Sequence, residues 1–389
     1  MRIVVAHNFY GARATGGESV VFQQEVDLLR RFGHEVETIE RENAEISEYS
    51  FAKKCSFLMT LGSSRSVYEE SVKTFKRLRP EILHVHNYKY VLSPSIFQAA
   101  KACGVRTVLT LHNYRLICPG GQLRRGDRPC EECLHGNPIR SLWRPQCASK
   151  FSTRILQYAF YLKTRKPLLE NVDAFIALTH FAKEKFIAGG LPEDKLCVKP
   201  NFVFDPTSRI PDQVSESDGV GAVFVGRLAP EKGVRFLIEA WRKLDYPLTV
   251  VGDGPLREWA QSNATPNVTF LGEKSHEATL DIMRRARCLV FPSVWYEGLP
   301  MTLIEACALG IPTIASDLGA RREIIKDGES GLLFNSGDEK GFVSAVKTLY
   351  NDLALRNRLG DGARRVYEEL YTPEKNIELL NAIYRQILR

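Results

Sequence analysis

Two α/β domains, each a parallel sheet covered by helices on both faces, are what this sequence predicts. Three observations carry that expectation. The chain has 389 residues, more than one ordinary domain and enough for two or three. Short apolar runs alternate with helical periodicity along almost its whole length, the pattern of parallel sheets. And two distant stretches open alike, with a strand, a glycine-containing loop and an amphipathic helix. These are RIVVAHNF (2–9) with Gly16-Gly17 and ESVVFQQEVDLLRRFG (18–33), and GAVFVGR (221–227) with LAPEKG and VRFLIEAWRKL (234–244). Hydrophobic residues make up 44% and charged residues 25%, which excludes a disordered or fibrous chain.

The elements follow in order. MRIVVAHNFY reads as a first strand, its apolar run being too short for a signal peptide. Further strands are expected at 35–40, 81–87, 106–113 and 174–178 in the first half. In the second half they are expected at 247–252, 268–272, 288–293 and 312–316. VFDPTSRIPDQVSESDGVG (203–221) has prolines, Ser and Asp but few large apolar residues, and reads as a linker with a hinge at 203–219. The domains are therefore expected at 1–203 and 204–371. The first carries an insertion at 115–150, rich in Arg, Gly, Pro and Cys and poor in regular structure. TPEKNIELLNAIYRQILR (372–389) reads as a helix, with Thr372 as N-cap and Pro373 in its first position.

Charge is uneven. The first 200 residues hold 30 Lys+Arg against 20 Asp+Glu, and the remainder hold 23 against 26. A basic half suits a polyanion, a phosphorylated substrate or an anionic membrane surface, or simply a solvated face. No apolar run approaches a membrane span. The expected compartment is the cytoplasm, and the nine cysteines read as reduced thiols or metal ligands before disulfides.

The block FPSVWYEGLPMTLIEACALGIPTIASDLGARREIIKDGESGLLF (291–334) carries the chemistry. Glu297 sits in a loop at a strand's carboxyl end, and Glu305 on the helix that begins near Pro300. Amides at that helix start suit an anion, and the carboxylates suit sugar hydroxyls.

This block, E-G-L-P-x4-E followed by G-I-P-T-I-A-S and D-G-E-S-G-L-L-F, resembles the retaining glycosyltransferases of family 4. Three more matches are G-R-L-A-P-E-K-G (226–233), Gly16-Gly17 and T-L-H-N (110–113). The resemblance covers nearly the whole chain. It implies the GT-B fold: two Rossmann-like domains facing across a cleft, the donor in the second, and the C-terminal helix crossing back to the first.

It also implies roles. Arg227 and Lys232 bind the donor diphosphate, and the Gly16-Gly17 backbone lies against the phosphates. Glu305 holds the ribose hydroxyls, Glu297 contacts the donor sugar, and Gly298, Leu299 and Pro300 frame sugar and phosphate. His112 matches the active-site histidine. Asn201 matches the Asn of P-N-G-V, although Phe202 here replaces the glycine. His84 and His86 lie at a strand end without an assigned role.

The implied reaction moves a sugar from a UDP- or GDP-linked donor to a hydroxyl of a glycan or lipid-linked saccharide, with retention. The expected setting is cell-surface polysaccharide or lipid-linked glycan assembly. No catalytic metal is expected, since Arg and Lys replace it. The alternatives are an epimerase or phosphorylase of the same fold, or a zinc-containing nucleic-acid-binding protein. The last leaves the E-G-L-P block unexplained, so nucleic acid is not an expected partner.

Two features lie outside the resemblance. Cys118, Cys130, Cys133 and Cys147, spaced C-x11-C-x2-C-x13-C, suit a structural zinc. An iron–sulfur cluster, a redox pair or four reduced thiols fit as well. In KFSTRILQYAFYLKTRK (150–166), Phe151, Ile155, Tyr158 and Leu162 form an apolar stripe flanked by Lys150, Arg154 and Lys163. It suits either an anionic leaflet at the inner membrane face or the first domain's core.

Overall fold

The computed structural model describes residues 1–10, 17–46, 62–126, 128–148, 150–209 and 221–389. The chain divides into two compact units. One comprises Met1–Gly126, Cys130–Asn201 and Asn376–Arg389, the other Asp127–Pro129 and Phe202–Lys375.

In the first unit the order is β1 (Arg2–Phe9), α1 (Gly17–Arg31), β2 (Glu35–Glu42), α2 (Arg65–Leu78), β3 (Ile82–Val85), α3 (Ser95–Ala102) and β4 (Arg106–Leu111). After the two-residue strands β5 (Arg124–Arg125) and β6 (Arg128–Pro129) come α4 (Phe151–Asn171), β7 (Ala174–Ala177), α5 (His180–Ala188) and β8 (Leu196–Val198). The sheet runs β2-β1-β3-β4-β7-β8, and every pairing is parallel. Helices cover both faces of the inner strands, so β3 and β7 are buried at every residue; β7 reads as an unbroken apolar run, and His84 interrupts the run of β3. The edge strand β2 instead alternates carboxylates with apolar residues and stays half-buried, which discourages edge-to-edge pairing.

The second unit contains β9 (Ala222–Val225), α6 (Val234–Trp241), β10 (Leu248–Val251), α7 (Arg257–Asn263), β11 (Val268–Gly272), α8 (His276–Arg284) and β12 (Cys288–Phe291). Then follow α9 (Met301–Ala308), β13 (Thr313–Asp317), α10 (Arg321–Ile324), β14 (Gly331–Asn335), α11 (Glu339–Asn351) and α12 (Leu353–Leu370). Its parallel sheet has the order β11-β10-β9-β12-β13-β14, the doubly wound arrangement of a Rossmann-type fold. Trp241 and Phe342 anchor the core with no exposure, and the Trp241 indole donates to the Tyr246 carbonyl at 2.9 Å.

The last helix, α13 (Pro373–Leu388), belongs to the first unit from Asn376 onward. The Thr372 hydroxyl accepts from the Lys375 amide at 3.3 Å and caps its start. Buried Tyr384 places its hydroxyl 2.8 Å from His84 Nδ1.

Two expectations change here. The start of the expected linker is packed: Val203 is buried, and Asp205 pairs with Arg364 at 2.5 Å. Residues 210–220, the rest of it, lie outside the described residues. The apolar stripe on α4 does not enter a core: Phe151, Ile155 and Leu162 are 46%, 47% and 54% exposed. Arg154 turns inward instead, donating to the Ala148 carbonyl at 3.2 Å with its guanidinium over the Phe151 ring.

Candidate functional site

In a doubly wound sheet, ligands bind outside the carboxyl ends of the strands where strand order reverses. In the second unit that point lies between β9 and β12. The loop after β9 carries Arg227 and Lys232, and the loop after β12 carries Glu297. Lys232 Nζ donates to Glu297 Oε1 at 2.7 Å, and the Ser293 hydroxyl lies 2.9 Å from the same oxygen. Arg227, with its side chain 61% exposed, pairs with buried Glu231.

Gly233 makes this loop possible. Its φ is +72°, and an added Cβ would lie 2.0 Å from the Pro292 carbonyl oxygen. Only glycine can close the turn Pro230–Lys232 and open α6 at that separation. Burial opposes the Glu297 charge, but Lys232 and then Arg321 hold its carboxyl below the usual carboxylate range. Arg321 is itself buried and donates to the Ser316 carbonyl at 3.1 Å and the Trp295 carbonyl at 2.8 Å. Burial lowers its guanidinium to about 10, against the pull of Glu297 and Asp317. Its double bonding fixes the path of the loop that holds Glu297.

Gly298 continues that loop, and Leu299 and Pro300 are buried at the start of α9. Glu305 on α9 accepts from His276 Nε2 at 2.9 Å, and this bond raises the His276 pKa above its usual value.

In the first unit, His112 follows β4 and is half-buried. Its Nε2 lies 3.0 Å from His86 Nδ1, and His86 Nε2 lies 3.0 Å from Glu25 Oε1. The fully buried Lys199 ammonium donates to Glu25 Oε2 at 2.5 Å. Burial opposes the Glu25 charge, but Lys199, His84 and His86 hold the carboxyl well below its ordinary range. A carboxylate only accepts, so His86 donates through Nε2. With a neutral His86 ring, its Nδ1 accepts from His112 Nε2, and the His112 Nδ1 lone pair is left to accept from a hydroxyl. Burial, then His86, lowers the His112 pKa well below the usual value, and the ring is neutral.

Ligand atoms of Glu25, His84 and His86 lie within 4.8 Å of one another, a spacing that suits a metal. Here Lys199 already neutralises the carboxylate, and Thr110 and Tyr384 occupy the two nitrogens of His84. The cluster reads as an ion pair with its hydrogen-bonded shell.

Beside His112 a pocket is lined by His86, Asn87, Lys89 and Arg115. Burial, then Arg115, lowers the Lys89 ammonium to about 7. Burial also raises the Glu18 carboxyl to about 7, against Arg115 and Lys89. Gly17 opens α1 immediately before Glu18, whereas Gly16 lies outside the described residues. Asn201 is buried with its Oδ1 unpartnered among the described residues.

The family model for Glycosyltransferase Family 4 matches residues 15–204, and that for Glycosyl transferases group 1 matches residues 209–366. The chain belongs to glycosyltransferase family 4. It is 31% identical over 172 residues to the O-antigen chain mannosyltransferase C of Escherichia coli, covering 43% of this chain and 46% of that one. The chain spans about half the length of the curated relatives it matches. The fold is shared over whole chains. Sucrose-phosphate synthase from Thermosynechococcus elongatus superposes with a TM-score of 0.71 at 19% identity, covering 100% of this chain and 99% of that one. Anabaena HepE in complex with UDP-glucose superposes with a TM-score of 0.66 at 15% identity, covering 98% and 99%.

The structure brings Lys232 and Glu297 of this family 4 chain together, with Arg227 nearby on the same loop. It adds residues that motif reading passed over. Arg321 and Ser293 were visible only as parts of the matching block. Glu25 on α1 and Lys199 after β8 are 174 positions apart, so no local pattern joins them. A polar residue on an otherwise apolar helix face was the one available signal for Glu25. L-H-V-H-N (83–87) was the signal for His86.

Proposed function

We propose that the chain transfers a sugar from a UDP- or GDP-linked donor to a hydroxyl with retention of configuration. The lysine–glutamate pair at the switch point of the second unit carries this reading. A nucleoside diphosphate becomes more negative as its glycosidic bond breaks. Preorganised cations at that place stabilise the transition state more than the ground state. Lys232 and Arg227 supply the cations, and Glu297 both orients Lys232 and offers an acceptor to a sugar hydroxyl. Glu305 is set to take the ribose hydroxyls and His276 to hold it in place.

In the reaction the bond from the anomeric carbon to the diphosphate oxygen breaks. The acceptor oxygen attacks the same face of the sugar, and the leaving phosphate takes the acceptor's proton. His112 Nδ1 accepts from a sugar hydroxyl and fixes the ring, with no part as a nucleophile. The acceptor is a glycan or lipid-linked saccharide of cell-surface polymer assembly, a reading supported by the O-antigen relative. A panel of UDP- and GDP-sugars, followed by NMR of the product anomer, tests this. A retained anomer is expected. An inverted product, or no turnover of any donor, overturns it.

The exposed face of α4 supports an anionic membrane surface as the place of work. Trp143 is 73% exposed and its ring contacts Phe151, with centroids 6.0 Å apart. Arg140, Lys150 and Lys166 lie on the same segment. Each cation near such a surface contributes roughly 1 kcal/mol. No helix of the described residues is long and apolar enough to cross a membrane. Salt-sensitive sedimentation with anionic liposomes is the expected result, and equal, negligible binding to anionic and neutral liposomes refutes it.

A further inference from the structure

We infer, on the reading above that His112 Nδ1 meets a sugar hydroxyl, that Glu25 and Lys199 are positioning residues for the transfer. Their ion pair sets the direction of a hydrogen-bond chain through His86 and so keeps a lone pair on His112 Nδ1. Neither member lines the pocket beside His112, so both act through other side chains. All of these residues belong to the first unit.

The chain is closed at every link. The side chains of Glu25 and Lys199 have no exposure. Lys199 Nζ donates to Glu25 Oε2 at 2.5 Å and to Asn376 Oδ1 at 3.2 Å. The other carboxylate oxygen, Oε1, lies 3.0 Å from His86 Nε2 and 3.0 Å from His84 Nδ1. His86 Nδ1 in turn lies 3.0 Å from His112 Nε2. A buried ion pair is often replaceable by apolar residues without loss of stability, so stability alone does not account for this one.

Such a chain can run in two directions. With Glu25 ionised, Oε1 only accepts, and His86 carries its proton on Nε2. A neutral His86 then accepts at Nδ1, His112 donates through Nε2, and His112 Nδ1 bears a lone pair. A donor in place of the carboxylate oxygen reverses every link. His86 would carry its proton on Nδ1 and donate to His112 Nε2, and His112 Nδ1 would bear the N–H. A carboxylate taken out of water tends to protonate, and Lys199 prevents this, with the Glu25 carboxyl held well below its ordinary range. The direction matters for the reaction. As the bond at the anomeric carbon breaks, positive charge grows on the sugar ring. A lone pair accepting from a ring hydroxyl stabilises that charge, and an N–H dipole aimed at the same place opposes it.

The test uses the full chain with 15N-labelled histidine. Ring spectra separate a protonated nitrogen from one with a lone pair, and the signals missing from His112→Gln assign the His112 ring. Wild type should carry the His112 proton on Nε2. In Glu25→Gln, Lys199 claims the amide oxygen, since an ammonium only donates, and the amide NH2 faces His86. The His112 proton should then move to Nδ1, and kcat with a UDP- or GDP-sugar should fall roughly tenfold to a hundredfold. Lys199→Met should give the same reversal by letting Glu25 protonate. A purely structural pair would lower Tm and leave the proton on Nε2. If the variants fail to fold, the wild-type spectrum still decides: a His112 proton on Nδ1 overturns the inference. So does a folded Glu25→Gln variant whose His112 proton has not moved, or one whose proton has moved while kcat stays at the wild-type value. Wild type that turns over no donor counts against the transfer reading, while the ring spectra still decide the direction of the chain.

Discussion

Arg227 and Lys232, the proposed diphosphate cations, are each paired with a buried carboxylate, Glu231 and Glu297. Each substitution to Ala should lower kcat by about 10²–10³, or about 2.7–4 kcal/mol by comparison with one lost oxyanion donor. Each should also lower Tm, because each removes a cation from beside a buried carboxylate. Wild-type kcat and Tm in either variant would contradict the geometry. The Lys199–Glu25 pair is buried completely. Lys199→Met should destabilise by about 3–5 kcal/mol, and adding Glu25→Leu should restore part of that loss in chemical denaturation. His84 is held at about 4 by burial, against the pull of Glu25, while its ordinary value is 6.5. The unfolded chain therefore takes up the proton first as pH falls. The contribution of His84 to stability is full above about pH 6.5 and is lost between about 6.5 and 4. Glu25, depressed in the fold, adds a loss in the same direction below its ordinary value of 4.5. Stability that stays level from about pH 7 to 4 would refute this. Arg227, Lys232 and Glu297 were legible in the sequence because they cluster in two loops. The Glu25–His86–His112 chain was not, because its members meet only when three elements fold together.

At the scale of elements, Gly233 couples the loop after β9 to the sheet. Gly233→Ala would force a left-handed backbone on alanine, worth about 1–2 kcal/mol, and would drive a Cβ into the Pro292 carbonyl. A lower Tm and a lower kcat are both expected, measured by thermal melt and steady-state turnover. A variant with wild-type values would show that the loop has room to move. Most strands were legible because both faces are buried and the apolar runs are continuous. Four were not. β5 and β6 have two residues each and β8 has three, too few to show a pattern, and β14 is enclosed in the D-G-E-S-G-L-L-F motif, where glycines obscure its run. The insertion has no periodicity to read, and its cysteine spacing was its one signal. The stripe on α4 was legible as amphipathic, but spacing alone cannot say whether an apolar face meets a core or lies exposed.

Across the whole molecule, two independently wound parallel sheets present their chemistry on loops at strand carboxyl ends. Cationic and carboxylate groups stand at the switch point of one unit, and a neutral histidine on a buried relay stands in the other. The central claim is that the β9 and β12 loops hold a nucleoside diphosphate. Calorimetric titration of the wild-type chain and of Arg227→Ala and Glu305→Ala with UDP, GDP and ADP tests it most directly. Wild type should bind one of these nucleotides, and each substitution should weaken binding at least tenfold, about 1.4 kcal/mol. Undiminished binding in both variants, or none to wild type by any of the three, would contradict it.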